Sequence, residues 1–226
     1  MPGRFTQILK LLTILFVIIF IVGGTVQILA TDQYLAFEYG KASFPPDPFG
    51  YTLQQRFILA STNIHYVRAH LPDNELSKQF LNGVPVYNLR EVSHMADVQT
   101  VFQSVTRVWQ AVFILLLLMG LILWQQGELW TLASAIQSGG VMTSGLVLSI
   151  ALFALFSWQV WFDLFHRFFF TDGSWLFNYS DTLIRLFPLK FWSDATFTIT
   201  TFSLVGGLLI ALIGWLGKRL LVKKQL

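Results

Sequence analysis

LLTILFVIIFIVGGTVQILA, residues 11–30, decides the fold. It contains no Asp, Glu, Lys or Arg, and as a helix its length matches a hydrocarbon core of ~30 Å. Residues 108–124, 141–162 and 195–217 are likewise uncharged, although the second is short at 17 residues. Strands with open edges cannot face lipid, so each stretch reads as a helix. The prediction is an all-α membrane protein with four transmembrane helices. These stretches also account for a chain that is 54% apolar and only 12% charged, where soluble domains carry about a quarter charged residues.

Arg4 and Lys10 precede the first stretch, as in a signal peptide. Its apolar run exceeds the usual ~7–15 residues, and Ile28-Leu29-Ala30 is a poor small-x-small cleavage site, so it reads as a retained anchor. Orientation follows from the basic residues. Arg4 and Lys10 stand before the first span and Lys218, Arg219, Lys223 and Lys224 after the last. Four spans put both ends on one side, here the cytoplasm.

The expected layout is a tail and first span (1–30), a mainly helical extracytoplasmic cap (31–107), the second and third spans (108–162) joined by an inner loop at residues 125–140, an outer aromatic-rich loop (163–194), and the fourth span with a basic tail (195–226). The cap has seven acidic and six basic residues and the outer loop four and three. The net charge of +3 therefore belongs to the tails, at an anionic leaflet, and no nucleic-acid patch is indicated. The lack of cysteine removes disulfides from the cap and excludes a thiol nucleophile.

Within the cap, Pro45, Pro46, Pro48 and Gly50 make a turn-rich stretch, residues 51–68 suit a helix, and Asn82-Gly83 suits a turn. Asn88 with Glu91 forms a capping box for an amphipathic helix. That helix either lies along the bilayer surface or runs straight into the second span. The straight course would set His94 about 20 Å before Arg107. No phosphate-binding glycine loop or Gly-x-Ser-x-Gly elbow occurs.

The four histidines, His65, His70, His94 and His166, all fall in the cap or the outer loop. Asp163 and Arg167 flank His166 at helical spacing. Either they form an ion pair beside an interfacial histidine, or Asp163 serves His166. His94 has Arg90 at i−4 and Asp97 at i+3, and on spacing alone a solvated helix face is its simpler reading. Residues 156–192 hold 14 aromatic residues in 37, Trp175 among them. That is either an interfacial belt or the wall of a dry acyl-chain pocket. No HExxH-type spacing supports a metal.

Arg90-Glu91-x-x-His94-Met95-x-Asp97-Val98, Phe165-His166-x-x-Phe169-Phe170 and Asp181-Thr-Leu-x-Arg185-Leu-Phe-Pro188-x-x-Phe191-Trp192 resemble the lipoprotein intramolecular transacylase family of Gram-positive membrane enzymes. The resemblance spans essentially the whole chain. It implies transfer of the sn-2 acyl chain from the diacylglyceryl group to the N-terminal cysteine amine of a diacylated lipoprotein, without a cofactor, at the outer leaflet of the cell membrane. It also implies that the catalytic histidines map onto His94 and His166. Arg90, Glu91, Asp97, Asp163, Asp181, Arg185, Trp175 and Phe191 are the candidates for support or substrate binding.

Asp163 is expected to orient His166 as the base and to favour its charged form. For both histidines to serve one bond exchange, the helix from Leu89 must bend or lie flat. The competing reading is a non-catalytic membrane scaffold or sensor whose cap binds a partner. A transporter is disfavoured because the spans carry no charge.

Overall fold

The computed structural model describes residues 3–72 and 74–223; Lys224 lies outside them. In chain order, α1 (Arg4–Leu29) is followed by α2 (Asp32–Tyr39), α3 (Leu53–Ala69), a short 3-10 turn (Leu76–Lys78) and a hairpin of β1 (Phe80–Leu81) and β2 (Val84–Pro85). Then come α4 (Leu89–Gln125), α5 (Leu129–Phe156), α6 (Trp158–Phe169), α7 (Thr182–Leu186) and α8 (Leu189–Lys223). Helices α1, α4, α5 and α8 are each long and apolar enough to cross a bilayer. Their apolar side chains, such as Leu115, Leu117, Leu118 and Leu121 of α4, point outward. That is the reverse of a soluble protein and is what lipid requires. The chain is a multi-pass integral membrane protein.

The structure forms two compact units. The first comprises Met1–Val26, Thr106–Leu152 and Thr198–Leu226. Small residues let its helices touch. A Cβ on Gly207 would lie 2.6 Å from Ser144 Oγ, and one on Gly23 would lie 2.8 Å from the Trp109 ring. Gly23-Gly24 and Gly206-Gly207 thus act as packing residues. Trp109 donates to the Phe20 carbonyl at 3.0 Å, and Thr25 and Ser203 pair at 3.0 Å. Polar groups here are satisfied inside the bundle, as an apolar solvent demands.

The second unit comprises Gln27–Val105 and Phe153–Phe197. Thr52 opens α3 with a capping box to Gln55, and His70 closes it at φ 53°. The carbonyls orphaned at that helix end are taken by α4. Gln99 donates to Tyr66 and Leu71 at 2.8 and 2.9 Å, and Gln103 to Val67 and Arg68 at 2.7 and 2.9 Å. Asn82 and Gly83 turn the hairpin with φ 53° and 79°, the geometry of a two-residue type I′ turn.

Two boundaries differ from expectation, and one open alternative is decided. The stretch assigned to an inner loop, 125–140, is mostly helix, because α5 begins at Leu129. The third apolar stretch is not one helix: it breaks at Ser157 (φ −143°, ψ 53°) and resumes as α6. Finally, α4 is unbroken from Leu89 to Gln125, so the amphipathic segment and the second span are one helix. No Gly or Pro interrupts it before Gly120.

Candidate active site

The second unit brings His94 of α4 and His166 of α6 to one aromatic ring. The Phe170 centroid lies 4.9 Å from the His94 ring and 5.8 Å from the His166 ring. The imidazoles are therefore no farther apart than these two distances end to end. That is inside the ~12 Å over which one substrate can touch both by hydrogen bonds of ~3 Å. No bend in α4 is needed. The meeting is made by α6, a strongly amphipathic helix that starts where α5 stops.

Aromatic rings enclose both histidines. Phe177 meets His94 edge-on at 5.4 Å. His166 is buried among Phe162 at 4.0 Å, Phe165 at 5.4 Å and Trp175 at 5.4 Å. Nδ1 of His166 lies 2.7 Å from the Phe162 carbonyl. A carbonyl only accepts, so Nδ1 carries the hydrogen and Nε2 keeps its lone pair. Nδ1 of His94 is buried without a hydrogen-bond partner, so one polar atom of the site is left for another molecule.

Burial disfavours charge on both rings. His94 precedes the uncharged part of α4, and its burial, with His166 as a second cause, pushes it down to about 4. Burial also lowers His166, against the opposing pull of the Phe162 carbonyl and of Asp163. Asp163 thus favours the charged form, as expected, but burial outweighs it. Asp163 is not turned to His166, however. It accepts from Arg167 at 2.7 Å in an exposed ion pair, and the Phe162 carbonyl orients the imidazole in its place.

The first motif block grips the loop after α6. Arg90 donates to the Leu176 carbonyl at 2.6 Å and lies 5.6 Å over the Phe177 ring. Glu91 is almost wholly buried; it accepts from Asn88 N–H at 2.9 Å, completing the capping box, and from Leu183 N–H at 2.7 Å. Asp181 accepts from Asn178 N–H at 2.7 Å and from the Asn88 side chain at 3.3 Å. These residues hold the loop that carries Phe170, Trp175 and Phe177.

Other candidates stand apart from the histidines. Arg185 pairs with Asp47 at 2.8 Å and stacks 3.4 Å over Tyr51. Burial would raise Asp47, but Arg185 and the Tyr51 amide outweigh it and hold the carboxyl low. Phe191 packs with Tyr34, Phe187 and Trp192. Asp97 is exposed. His65 pairs with Asp32 at 3.0 Å on the surface. Among the described residues no three His, Cys, Asp or Glu side chains come together as a metal-ligand set. Phe170 and Phe177 as histidine partners, and Asp47 as the partner of Arg185, escaped the sequence reading.

A helical membrane protein with an aromatic-walled, paired-histidine site is the class these observations define. Residues 9–192 match the family described as lipoprotein intramolecular transacylase Lit, and the chain belongs to that family. A protein of Aquifex aeolicus (strain VF5), described as uncharacterized, is 32% identical over 226 residues, covering 95% of this chain and 98% of that one. The fold is similar to that of the membrane-integral lipoprotein intramolecular transacylase Lit from Bacillus cereus, with a TM-score of 0.79 at 20% identity over 99% of both chains. A histidine-to-arginine variant of the Bacillus cereus protein superposes with a TM-score of 0.68 at 19% identity, covering 99% of this chain and 94% of that one.

Proposed function

We propose that this chain moves the sn-2 acyl chain of a lipoprotein's diacylglyceryl group to the amine of its N-terminal cysteine, giving the lyso form, with His94 and His166 as catalytic residues. The observation that carries the reading is the pair of imidazoles that meet at the Phe170 ring.

The α-amine attacks the ester carbonyl, a C–N bond forms, and the C–O bond to glycerol breaks. His166 Nε2, its lone pair fixed by the Phe162 carbonyl, takes the amine proton and returns it to the departing glyceryl oxygen. His94, held neutral by burial, serves as an N–H donor to the developing oxyanion. Ester and amine belong to one molecule, so orientation supplies much of the rate, with effective molarities that reach roughly 10⁵ M or more. Ester to amide is downhill, and no activated donor is consumed.

The aromatic wall keeps out water, whose attack would release fatty acid. Basic residues at the ends of α1 and α8 support cytoplasmic termini, and hence a site at the outer leaflet. The test mixes purified protein with a synthetic diacylated lipopeptide and locates the acyl chain by mass spectrometry. Acyl on nitrogen is expected. Inertness would leave the scaffold reading, and a requirement for added phospholipid would make the transfer intermolecular.

A further inference from the structure

In the first unit, α5 and α8 press together through glycine. A Cβ on Gly214 would lie 2.5 Å from the Gln137 backbone N, and one on Gly217 would meet Ala133 Cβ at 3.4 Å. Past this contact the side chains become large, and a cleft of about 390 Å³ opens between Trp130, Trp215, Lys218, Arg219, Val222 and Lys223.

On α8 these residues recur at spacings of three and four, so they share a face. Arg219 lies 4.2 Å over Trp215, and Lys218 lies 5.6 Å over Trp130. The rings position two cations while leaving N–H donors in the cleft. No acidic residue among the described residues lines it. The nearby Glu128 accepts from the Thr131 hydroxyl at 2.6 Å. Along α8 from the cleft, Leu212, Leu216 and Leu220 are exposed.

We propose that this cleft binds an anionic phospholipid. The headgroup phosphate sits among Lys218, Arg219 and Lys223, with the Arg219 fork taking two of its oxygens. The acyl chains lie along the exposed leucines, a surface that a soluble phosphate would not use. A zwitterionic headgroup brings its own cation into a cluster of three and is disfavoured.

The test measures phosphatidylglycerol bound to the purified full-length protein by native mass spectrometry. Each cation near an anionic lipid contributes about a fivefold preference. The triple change Lys218→Gln, Arg219→Gln and Lys223→Gln should weaken retention at least about tenfold, and Arg219→Gln alone about fivefold. Phosphatidylcholine binding should stay unchanged, and so should phosphatidylglycerol retention by Lys78→Gln, a change on the exposed surface of the other unit. Undiminished retention in both cleft variants overturns the proposal. Displacement of the lipid by an equal concentration of glycerol phosphate would overturn it too, by making the cleft a site for soluble anions.

Discussion

Glu91 and Leu183, 92 positions apart, are joined by a 2.7 Å hydrogen bond in which a buried carboxylate accepts a backbone N–H. The same carboxylate caps α4 through Asn88. One side chain therefore closes the helix that carries His94 and anchors the loop that walls the site. Glu91→Ala strands two amides, each worth ~1–3 kcal/mol when buried and unsatisfied. The expected loss is about 2–6 kcal/mol, read as a lowered unfolding midpoint. Glu91→Gln keeps one acceptor and should lose less. Equal midpoints for Glu91→Ala and the unsubstituted protein would remove this role.

Burial sets a pH dependence whose sign is fixed. His94 is pushed down to about 4, below the ordinary histidine value near 6.5. The unfolded chain thus binds a proton that the folded chain refuses, and stability rises with pH between these values. Acidification from pH 7 to 4.5 should lower the unfolding midpoint, and His94→Gln should flatten that slope. kcat/KM should decline below about pH 8 as the attacking amine protonates, and the imidazoles, both held below the ordinary histidine value, should add a further loss only below pH 6.5. An unfolding midpoint that is level across this range contradicts the burial argument.

His94→Ala and His166→Ala should each reduce transfer by 10²–10⁴-fold, the usual loss for one acid–base group, while the protein stays inserted and folded. His65→Ala and His70→Ala should retain activity. His65 is engaged with Asp32 on the surface, and His70 only closes α3. The lipopeptide assay separates the four variants. Full activity after His166→Ala would dismiss the proton-shuttle role.

Asp163→Asn should leave transfer within about twofold. Asp163 faces Arg167 across an exposed ion pair, and such pairs contribute little. A loss comparable to that of His166→Ala would mean that Asp163 turns to the imidazole during turnover.

The spans were legible because lipid forbids charge, a rule that sequence displays directly. Their ends were less so. Thr131, Ser134 and Gln137 read as loop residues yet are tolerated in a helix, so α5 starts earlier than its uncharged core. The break at Ser157 has no Gly or Pro to announce it. Asn88 with Glu91 was legible as a cap because the partners are three residues apart; the second bond of Glu91 was not, because its partner is a distant backbone amide. The same distance hid Asp47 from Arg185, 138 positions on. His94 looked solvated on its own helix, since the rings that bury it, Phe170 and Phe177, come from another segment.

Trp175 offers the sharpest separation of catalysis from water exclusion. It is buried and packs 5.4 Å from His166, yet it carries no proton for the reaction. Trp175→Ala removes one wall of the enclosure, packed on His166, while leaving both imidazoles chemically intact. Buried Trp→Ala changes cost about 3–5 kcal/mol, so activity must be measured below the lowered unfolding midpoint. Water then competes with the lipoprotein amine for the same ester carbonyl. Transfer to nitrogen should fall while free fatty acid rises, and the ratio of the two products should shift at least about tenfold toward hydrolysis, as for ~1.4 kcal/mol between competing barriers. Trp175→Phe keeps a ring against His166 and should restore most of the original ratio. Both products falling together, with their ratio unchanged, would show that Trp175 orients the substrate rather than excluding water.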